Sequence, residues 1–267
     1  ARELSNADPL KMSRARKARA GTFKSMIDRI ASGELKWCLT VFPTQANAQE
    51  ADMSLREYQD FVYTAGKLDQ PDPVSCWREE EARLRELIAR LKGKDRLTIQ
   101  GPAVDLSMSI KGRRFEEAAG KQNFPDGEIY TSPVEKSVNG WVKFGYPAIY
   151  LGREVIDPEL WFEDGRVVKE QASKGQDFLT EALNTDPGAR YLGELGIGTN
   201  YAIPRFTKNM LFDEKLGGTI HLAVGMGFPE VGGKNTSGIH WDLLVDMSGA
   251  EMRADGEVIY QDKKLVY

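Results

Sequence analysis

Hydrophobic periodicity changes near Gly101, and this change constrains the fold more than any other feature of the sequence. Before it, Glu79–Leu91 repeats leucine and isoleucine at the spacing of one helix face. After it, Asp105–Ile110 alternates polar and apolar residues with the period of two that is typical of a strand. The pattern predicts an α+β protein, with part of an α/β domain in residues 1–103 and a largely antiparallel β domain in residues 104–267.

Capping signals predict several helices. One helix covers about Asp8–Ala31, and the basic stretch Lys11–Arg19 forms its solvated face. Ser54–Glu57 has capping-box spacing, and Ser75–Glu79 predicts a second capped start. A further helix fits Gln176–Leu183.

Apolar runs and turn pairs predict the strands. Leu35–Phe42, which Pro43 stops, is expected to form one short strand. Asn139-Gly140, Asp164-Gly165 and Asp255-Gly256 indicate hairpins, because such pairs adopt the backbone conformations that tight turns require.

Composition narrows the possible classes of protein. Apolar residues make up 41% of the 267 residues, which suffices for a sizeable core. The 36 basic and 40 acidic residues give a formal net charge of −4, so neither nucleic acid nor an anionic membrane is expected as a partner. Cys38 and Cys76 form no metal-binding motif, which favours a reduced, cytoplasmic protein. The chain begins at Ala1 without Met, and we interpret it as a fragment of a longer protein.

The chain has two histidines, His221 and His240, and both lie in apolar runs near its end. Asp242 follows His240 by two positions, so in a strand the imidazole and the carboxylate point into one space. Such a pair is typical of half of a divalent metal site, although a hydrogen-bonded structural pair has the same spacing.

Four glutamates stand in contexts that single them out. They are Glu128, Glu194, Glu214 and Glu230. A carboxylate in an apolar strand needs a partner, which could be a metal, backbone donors or, for Glu194, Arg190 or Lys208. Glu214 and Glu230 also fit solvated turns. Two or three of these carboxylates, with the imidazoles and the aspartate, could hold two divalent ions.

Two other chemistries have less support in the sequence. The glycines between Gly188 and Gly238 include no phosphate-binding motif, which argues against a nucleotide site. Ser237 lies near His240 and Asp242, as in a serine hydrolase. No GxSxG motif is present, however, and Asp242 is too close to His240 in sequence to orient it.

Five motifs, in order, resemble signatures of the thermophilic-type metallo-aminopeptidases, the group of aminopeptidase T, aminopeptidase S and aminopeptidase II. They are Pro125–Pro133, Leu192–Glu194, Leu211–Glu214, His221–Gly225 and Gly233–Asp242. Arg2–Asn6 and Phe42–Thr44 also resemble the middle region of that family, so the likeness covers nearly the whole chain.

The resemblance implies a leucine-specific or broad-specificity aminopeptidase that forms a homodimer and cleaves peptides with a free N-terminus. It implies two divalent ions (zinc, cobalt or magnesium) bound in the β-rich part of the chain. The implied ligands are Glu128, Glu194, Glu214, His221, His240 and Asp242. Glu128 or Glu194 would also act as the general base, because a carboxylate beside the metal-activated water can take its proton.

The sequence departs from this family in two ways. Phe228 stands where the family commonly has a catalytic tyrosine, and phenylalanine lacks the hydroxyl that could ligate metal or stabilise an oxyanion. Tyr201 or another group could substitute. The chain is also expected to lack roughly the first hundred residues of the family, on the basis of ordinary domain size. The alternative function is therefore a catalytically impaired or inactive metal-binding dimerisation fragment.

Overall fold

The structure, a computed structural model, describes residues 32–266 and a few earlier positions. The earlier positions are Lys11, Arg14, Ala18, Arg19, Gly21, Thr22, Ser25, Met26, Arg29 and Ile30. The helix predicted over about Asp8–Ala31, with the stretch Lys11–Arg19, therefore falls largely outside the described residues.

Five α-helices have both ends within residues 32–266. They are α1 (Gln45–Glu50), α2 (Leu55–Ala65), α3 (Pro73–Leu91), α4 (Gln176–Leu183) and α5 (Met210–Asp213). The capping box before α2 is confirmed, because the Ser54 hydroxyl accepts from the Glu57 backbone N–H and the Glu57 carboxylate accepts from that of Ser54. The helix predicted over Gln176–Leu183 is also confirmed.

The start predicted for α3 is wrong. The helix begins at Pro73, and the Asp72 carboxylate caps it by accepting from the Ser75 backbone N–H at 3.0 Å. Proline suits the first helical turn because its missing N–H would have no partner there. Ser75 consequently lies inside the helix rather than at its cap.

Seventeen strands are defined in the same described residues. They are β1 (Leu39–Thr40), β2 (Arg96–Gly101), β3 (Val104–Ser109), β4 (Glu116–Ala118), β5 (Asn123–Phe124), β6 (Glu128–Thr131), β7 (Asn139–Lys143), β8 (Ala148–Tyr150), β9 (Arg153–Val155), β10 (Glu159–Glu163), β11 (Arg166–Gln171), β12 (Leu192–Gly198), β13 (Thr219–Gly225), β14 (His240–Asp246), β15 (Glu251–Ala254), β16 (Glu257–Gln261) and β17 (Lys264–Leu265).

Two antiparallel sheets dominate the fold. The larger has the strand order β11-β10-β7-β3-β2-β15-β16-β17, and the smaller has the order β14-β13-β12-β6-β4. Hairpins at Asp164-Gly165 and Asp255-Gly256 join β10 to β11 and β15 to β16, as predicted. The α+β class is therefore confirmed.

Two strand predictions are wrong. Asn139-Gly140 lies within β7 rather than in a turn, and Gly140 is needed there because a Cβ would lie 2.0 Å from the Asp105 carbonyl oxygen. Within Leu35–Phe42, two residues form strand β1, which pairs in parallel with the equally short β5. With so short a partner the run stays on the surface, and Phe42 is 81% exposed.

One hydrophobic cluster joins both sheets and helix α3. It includes Leu87 from α3, Ile99 and Phe162 from the larger sheet, and Leu222 and Trp241 from the smaller one. This core contains residues on both sides of position 103, and the division of the chain at that position stays a prediction. Among the described residues, no helix is both long and apolar enough to cross a membrane.

Candidate metal centre

Strand alternation gathers the predicted ligands on one face of the smaller sheet. In β13 and β14, Ala223 pairs with Asp242 and Gly225 pairs with His240. In β12, Glu194 pairs with the same Ala223. Cross-strand partners point to the same side of a sheet, and residues two apart share that side. His221, two residues before Ala223, therefore joins them, while the opposite face packs into the core.

Glu128 reaches the cluster from β6. It pairs with Gly198, which lies on the same face of β12 as Glu194. Gly196, between those two positions, is required because a Cβ there would lie 2.0 Å from the His221 ring. The glycine thus leaves the space that the imidazole occupies.

The two oxygens of Glu194 face different imidazoles. Its Oε1 lies 3.4 Å from Nε2 of His221, and its Oε2 lies 3.1 Å from Nε2 of His240. Glu128 Oε2 lies 3.3 Å from His221 Nε2, and Asp242 Oδ1 lies 3.5 Å from His240 Nε2. Two groups of potential ligands result, Glu128–Glu194–His221 and Glu194–His240–Asp242, and the ligand atoms within each lie within 4.8 Å of one another.

The donor set fits divalent cations. Nδ1 of His240 lies 2.8 Å from the Met226 carbonyl oxygen, which can only accept, so in the neutral ring Nδ1 carries the proton. The bare Nε2 then faces two carboxylates, an arrangement that a cation between them would stabilise. Two buried carboxylate oxygens without a hydrogen-bond partner, Glu128 Oε2 and Asp242 Oδ1, also favour a bound cation. Imidazole with carboxylate suits zinc and similar ions.

The electrostatics of the cluster favour added positive charge. Burial lowers the pKa of each imidazole, but the neighbouring carboxylates outweigh it and raise the pKa of His221 to about 9 and that of His240 to about 11. Burial raises the pKa of Glu128, because desolvation disfavours its charged form. A cluster with this charge balance attracts either protons or metal ions.

Lys215, which the sequence analysis missed, lies in the same cluster. Its side chain is 1% exposed, and its ammonium lies 2.5 Å from Glu128 Oε1, 2.5 Å from Glu214 Oε1 and 3.6 Å from Asp126 Oδ1. The only local signal is the charged trio Asp213-Glu214-Lys215, which resembles an ordinary turn. The ammonium engages Glu128 Oε1 and leaves Oε2 facing His221.

Of the six predicted ligands, the structure brings five into the two groups, and Glu214 lies beside them. Its carboxylate contacts Lys215, so it is next to Glu128 across a shared ammonium. The alternative partners for Glu194 are wrong, because Arg190 pairs with Glu170 and Lys208 with Asp52. Glu230 is exposed.

An aromatic group borders the site. The Phe228 ring contacts the His240 ring at 5.0 Å and meets Tyr130 edge-on at 5.5 Å, both between ring centroids. Burial raises the pKa of the Tyr130 phenol and the nearby carboxylates raise it further, so the phenol stays protonated at neutral pH. Tyr201, suggested as a substitute for the hydroxyl missing at Phe228, is 47% exposed and donates to the Lys263 carbonyl oxygen.

The chain is similar in sequence to aminopeptidases of several bacteria. Aminopeptidase 2 of Geobacillus stearothermophilus is 29% identical over 95% of this chain, which spans 69% of its length. Aminopeptidase T of Thermus thermophilus is 27% identical over 97% of this chain, which spans 70% of its length. Aminopeptidase AmpS of Bacillus subtilis is 27% identical over 85% of this chain, which spans 62% of its length.

Two solved structures share the fold. Wild-type AmpT from Thermus thermophilus superposes with a TM-score of 0.88 at 24% identity, over 100% of this chain and 74% of that one. A 2,5-dihydroxypyridine dioxygenase from Pseudomonas putida KT2440 superposes with a TM-score of 0.62 at 14% identity, over 85% of this chain and 70% of that one. The model of the family described as thermophilic metalloprotease (M29) matches residues 1–267. As the five motifs predicted, this chain belongs to the thermophilic metalloprotease (M29) family.

Proposed function

We propose that this protein is an aminopeptidase that removes the N-terminal residue of peptides with the help of two divalent metal ions. The observation that carries the proposal is the position of Glu194, whose two oxygens face two different imidazoles. One carboxylate shared by two ligand groups can bridge a pair of neighbouring metal ions. The relatives named aminopeptidase support the substrate class.

Charge balance is compatible with two ions. Five carboxylates meet one ammonium in this cluster, which leaves four uncompensated negative charges when both imidazoles are neutral. The carboxylates are those of Asp126, Glu128, Glu194, Glu214 and Asp242, and the ammonium is that of Lys215. Two divalent ions would balance this charge, and buried charge without compensation is costly. Zinc, cobalt and magnesium are candidates.

The ligand assignment follows the two groups. Glu128, Glu194 and His221 would hold one ion, and Glu194, His240 and Asp242 would hold the other. We propose Glu214 as an additional carboxylate ligand, because it shares the Lys215 ammonium with Glu128. When bound, the ions would lower the pKa of a water molecule and polarise the peptide carbonyl.

Residues of the chain would supply the general base and orient the reacting groups. We propose Glu128 or Glu194 as the general base, because either carboxylate would lie beside the activated water. The base would take the proton of the attacking water and return it to the departing amine nitrogen. Lys215 holds Oε1 of Glu128, and the Met226 carbonyl orients His240 through Nδ1. These contacts hold the reacting groups before substrate arrives.

The test is hydrolysis of leucine p-nitroanilide by protein loaded with zinc or cobalt. We expect turnover that a chelator abolishes and added metal restores, and we expect the N-acetylated substrate to resist cleavage, since an aminopeptidase needs the free amine. Turnover that survives chelation would contradict the proposal, and cleavage of the blocked substrate would indicate a different amidase.

Phe228 favours a second candidate, an impaired or inactive metal-binding form, because its ring carries no hydroxyl beside His240. Metal binding without turnover in wild-type protein and in Phe228→Tyr would support that candidate.

The homodimer implied by the family resemblance is also part of the proposal, and its mass can be measured by sedimentation. A cytoplasmic location is also proposed, because Cys38 and Cys76 are free thiols.

A further inference from the structure

Tyr130 lies in the same row of the sheet as the first imidazole. It follows Glu128 by two residues in β6, so the two side chains share a face. Across the sheet, Tyr130 pairs with Gly196, and Gly196 pairs with His221. Because the residue between them is a glycine, no side chain separates the phenol from the imidazole along this row.

The Tyr130 hydroxyl is not committed elsewhere. Within the described residues it makes no hydrogen bond, and its side chain is only partly buried. By contrast, Tyr201 donates to the Lys263 carbonyl oxygen. The edge-on contact with Phe228 holds the Tyr130 ring, and Phe228 is itself fixed by its backbone N–H, which donates to Ser132 Oγ at 3.0 Å. A held ring with a free hydroxyl is suited to binding a ligand.

Two other donors beside the cluster are already occupied. The Lys215 ammonium faces three carboxylates, and Nδ1 of His240 is used on the Met226 carbonyl oxygen. Phe228, which touches His240, has no hydroxyl. Nδ1 of His221 also has no partner, but it is buried, whereas the Tyr130 side chain is partly exposed. In the described part of the chain, Tyr130 therefore offers an accessible, unused donor on this face.

We propose that Tyr130 is a catalytic residue whose hydroxyl donates a hydrogen bond to the carbonyl oxygen of the cleaved peptide bond. The inference rests on the proposed aminopeptidase function and deepens it. Water adds to the carbonyl carbon, the carbonyl oxygen gains negative charge, and the phenol keeps its proton throughout while its O–H stabilises that charge. The bond strengthens as the tetrahedral species forms, so it acts on turnover more than on substrate binding.

The test compares Tyr130→Phe with wild-type protein, both loaded with zinc. We expect kcat for leucine p-nitroanilide to fall about 100-fold while KM changes less than about threefold, as for loss of one oxyanion donor. Calorimetry should show about tenfold weaker binding of L-leucine phosphonate, a tetrahedral analogue, with unchanged binding of L-leucine. Metal content should stay at the wild-type value. Tyr63→Phe, which removes an exposed hydroxyl from α2, is the matched control.

A ring swap separates a hydroxyl effect from a packing effect. In Tyr130→Phe/Phe228→Tyr the hydroxyl moves to the ring in contact, and we expect phosphonate binding to recover in part. Wild-type phosphonate affinity in Tyr130→Phe would overturn the role of Tyr130. Wild-type protein that binds phosphonate but hydrolyses no peptide would overturn the proposed function while the binding comparison still tests Tyr130. Wild-type protein that binds no phosphonate would overturn both.

Discussion

At the scale of single residues, the site depends on Glu194 more than on any other side chain. It lies in an apolar strand, is almost fully buried and faces an imidazole with each oxygen. Arg190 and Lys208, which the sequence suggested as its partners, pair with other carboxylates. The negative charge of a buried carboxylate in this position is compensated either by imidazolium or by a metal ion. We propose that metal ions compensate it here.

Replacing Glu194 by glutamine should therefore remove both metal ions. The glutamine amide has the same shape as the carboxylate but only one oxygen and no charge. Both groups of potential ligands would therefore lose the carboxylate that they share. Elemental analysis after loading with zinc should fall from about two ions per chain to below one, the ratio expected for a two-metal site. Glu230→Gln, which changes an exposed glutamate, should keep both ions. Retention of both ions in Glu194→Gln would contradict the shared-ligand assignment.

A second residue-scale prediction concerns pH. Hydrogen bonds from Arg190 hold the pKa of Glu170 below its ordinary value, and the contacts are 2.9 and 3.0 Å long. A lowered folded-state pKa means that the unfolded chain binds the proton more readily. The stabilisation is therefore complete above the ordinary carboxyl pKa of about 4.3 and is lost as pH falls through the lowered value.

Urea unfolding at neutral pH and at about pH 3.5 measures this effect. Glu170→Gln should be less stable than wild type at neutral pH, and the difference should shrink at the acidic pH. Glu163→Gln is the control, because Glu163 lies exposed at the end of the adjacent strand β10. A stability difference for Glu170→Gln that is the same at both pH values would count against the ion pair as its cause.

At the scale of elements, the two faces of the smaller sheet carry different residues. Leu222, Trp241 and Leu243 point into the core, while His221, His240 and Asp242 alternate with them toward the site. A strand with this pattern specifies its register strongly, since a slip by one residue would bury the ligands and expose the core side chains. The folding free energy thus also positions the proposed metal ligands.

Gly196→Ala tests this arrangement with one methyl group. The added Cβ would meet the His221 ring at 2.0 Å, so the imidazole must move away from Glu128 and Glu194. We expect zinc content to fall toward one ion per chain and kcat to drop at least about tenfold. Gly145→Ala, where a Cβ meets nothing within 4 Å, should behave like wild type. Normal zinc content in Gly196→Ala would show that the ring does not need this space.

Element predictions succeeded where the signal was local and failed where a distant partner decides the outcome. The capping box at Ser54 and the hairpin at Asp164-Gly165 depend on neighbouring residues, and both are confirmed. Asn139-Gly140 has turn chemistry, but the close approach of β3 to Gly140 places it in a strand. Leu35–Phe42 has strand composition, but only a two-residue partner lies beside it.

At the scale of the whole molecule, the site is assembled by strands far apart in sequence. Glu128 and Lys215 meet at 2.5 Å although 87 positions separate them. Spacing along the chain cannot predict such a contact, so Lys215 was not predicted as part of the site. Glu128 was predicted because it lies in one of the motifs that carry the family resemblance. Tyr130 was missed for a similar reason, because its relation to His221 exists only through pairing with Gly196. Residues with a motif were predictable, and residues that support them through the fold were not.

The most direct test of the two-ion site is anomalous diffraction from crystals of the zinc-loaded protein. We predict two anomalous peaks per chain, one beside His221 and Glu128 and the other beside His240 and Asp242, with Glu194 in contact with both. Zinc ligand distances of about 2.0–2.2 Å identify these contacts. A single peak, or two peaks that do not share Glu194, would contradict the account.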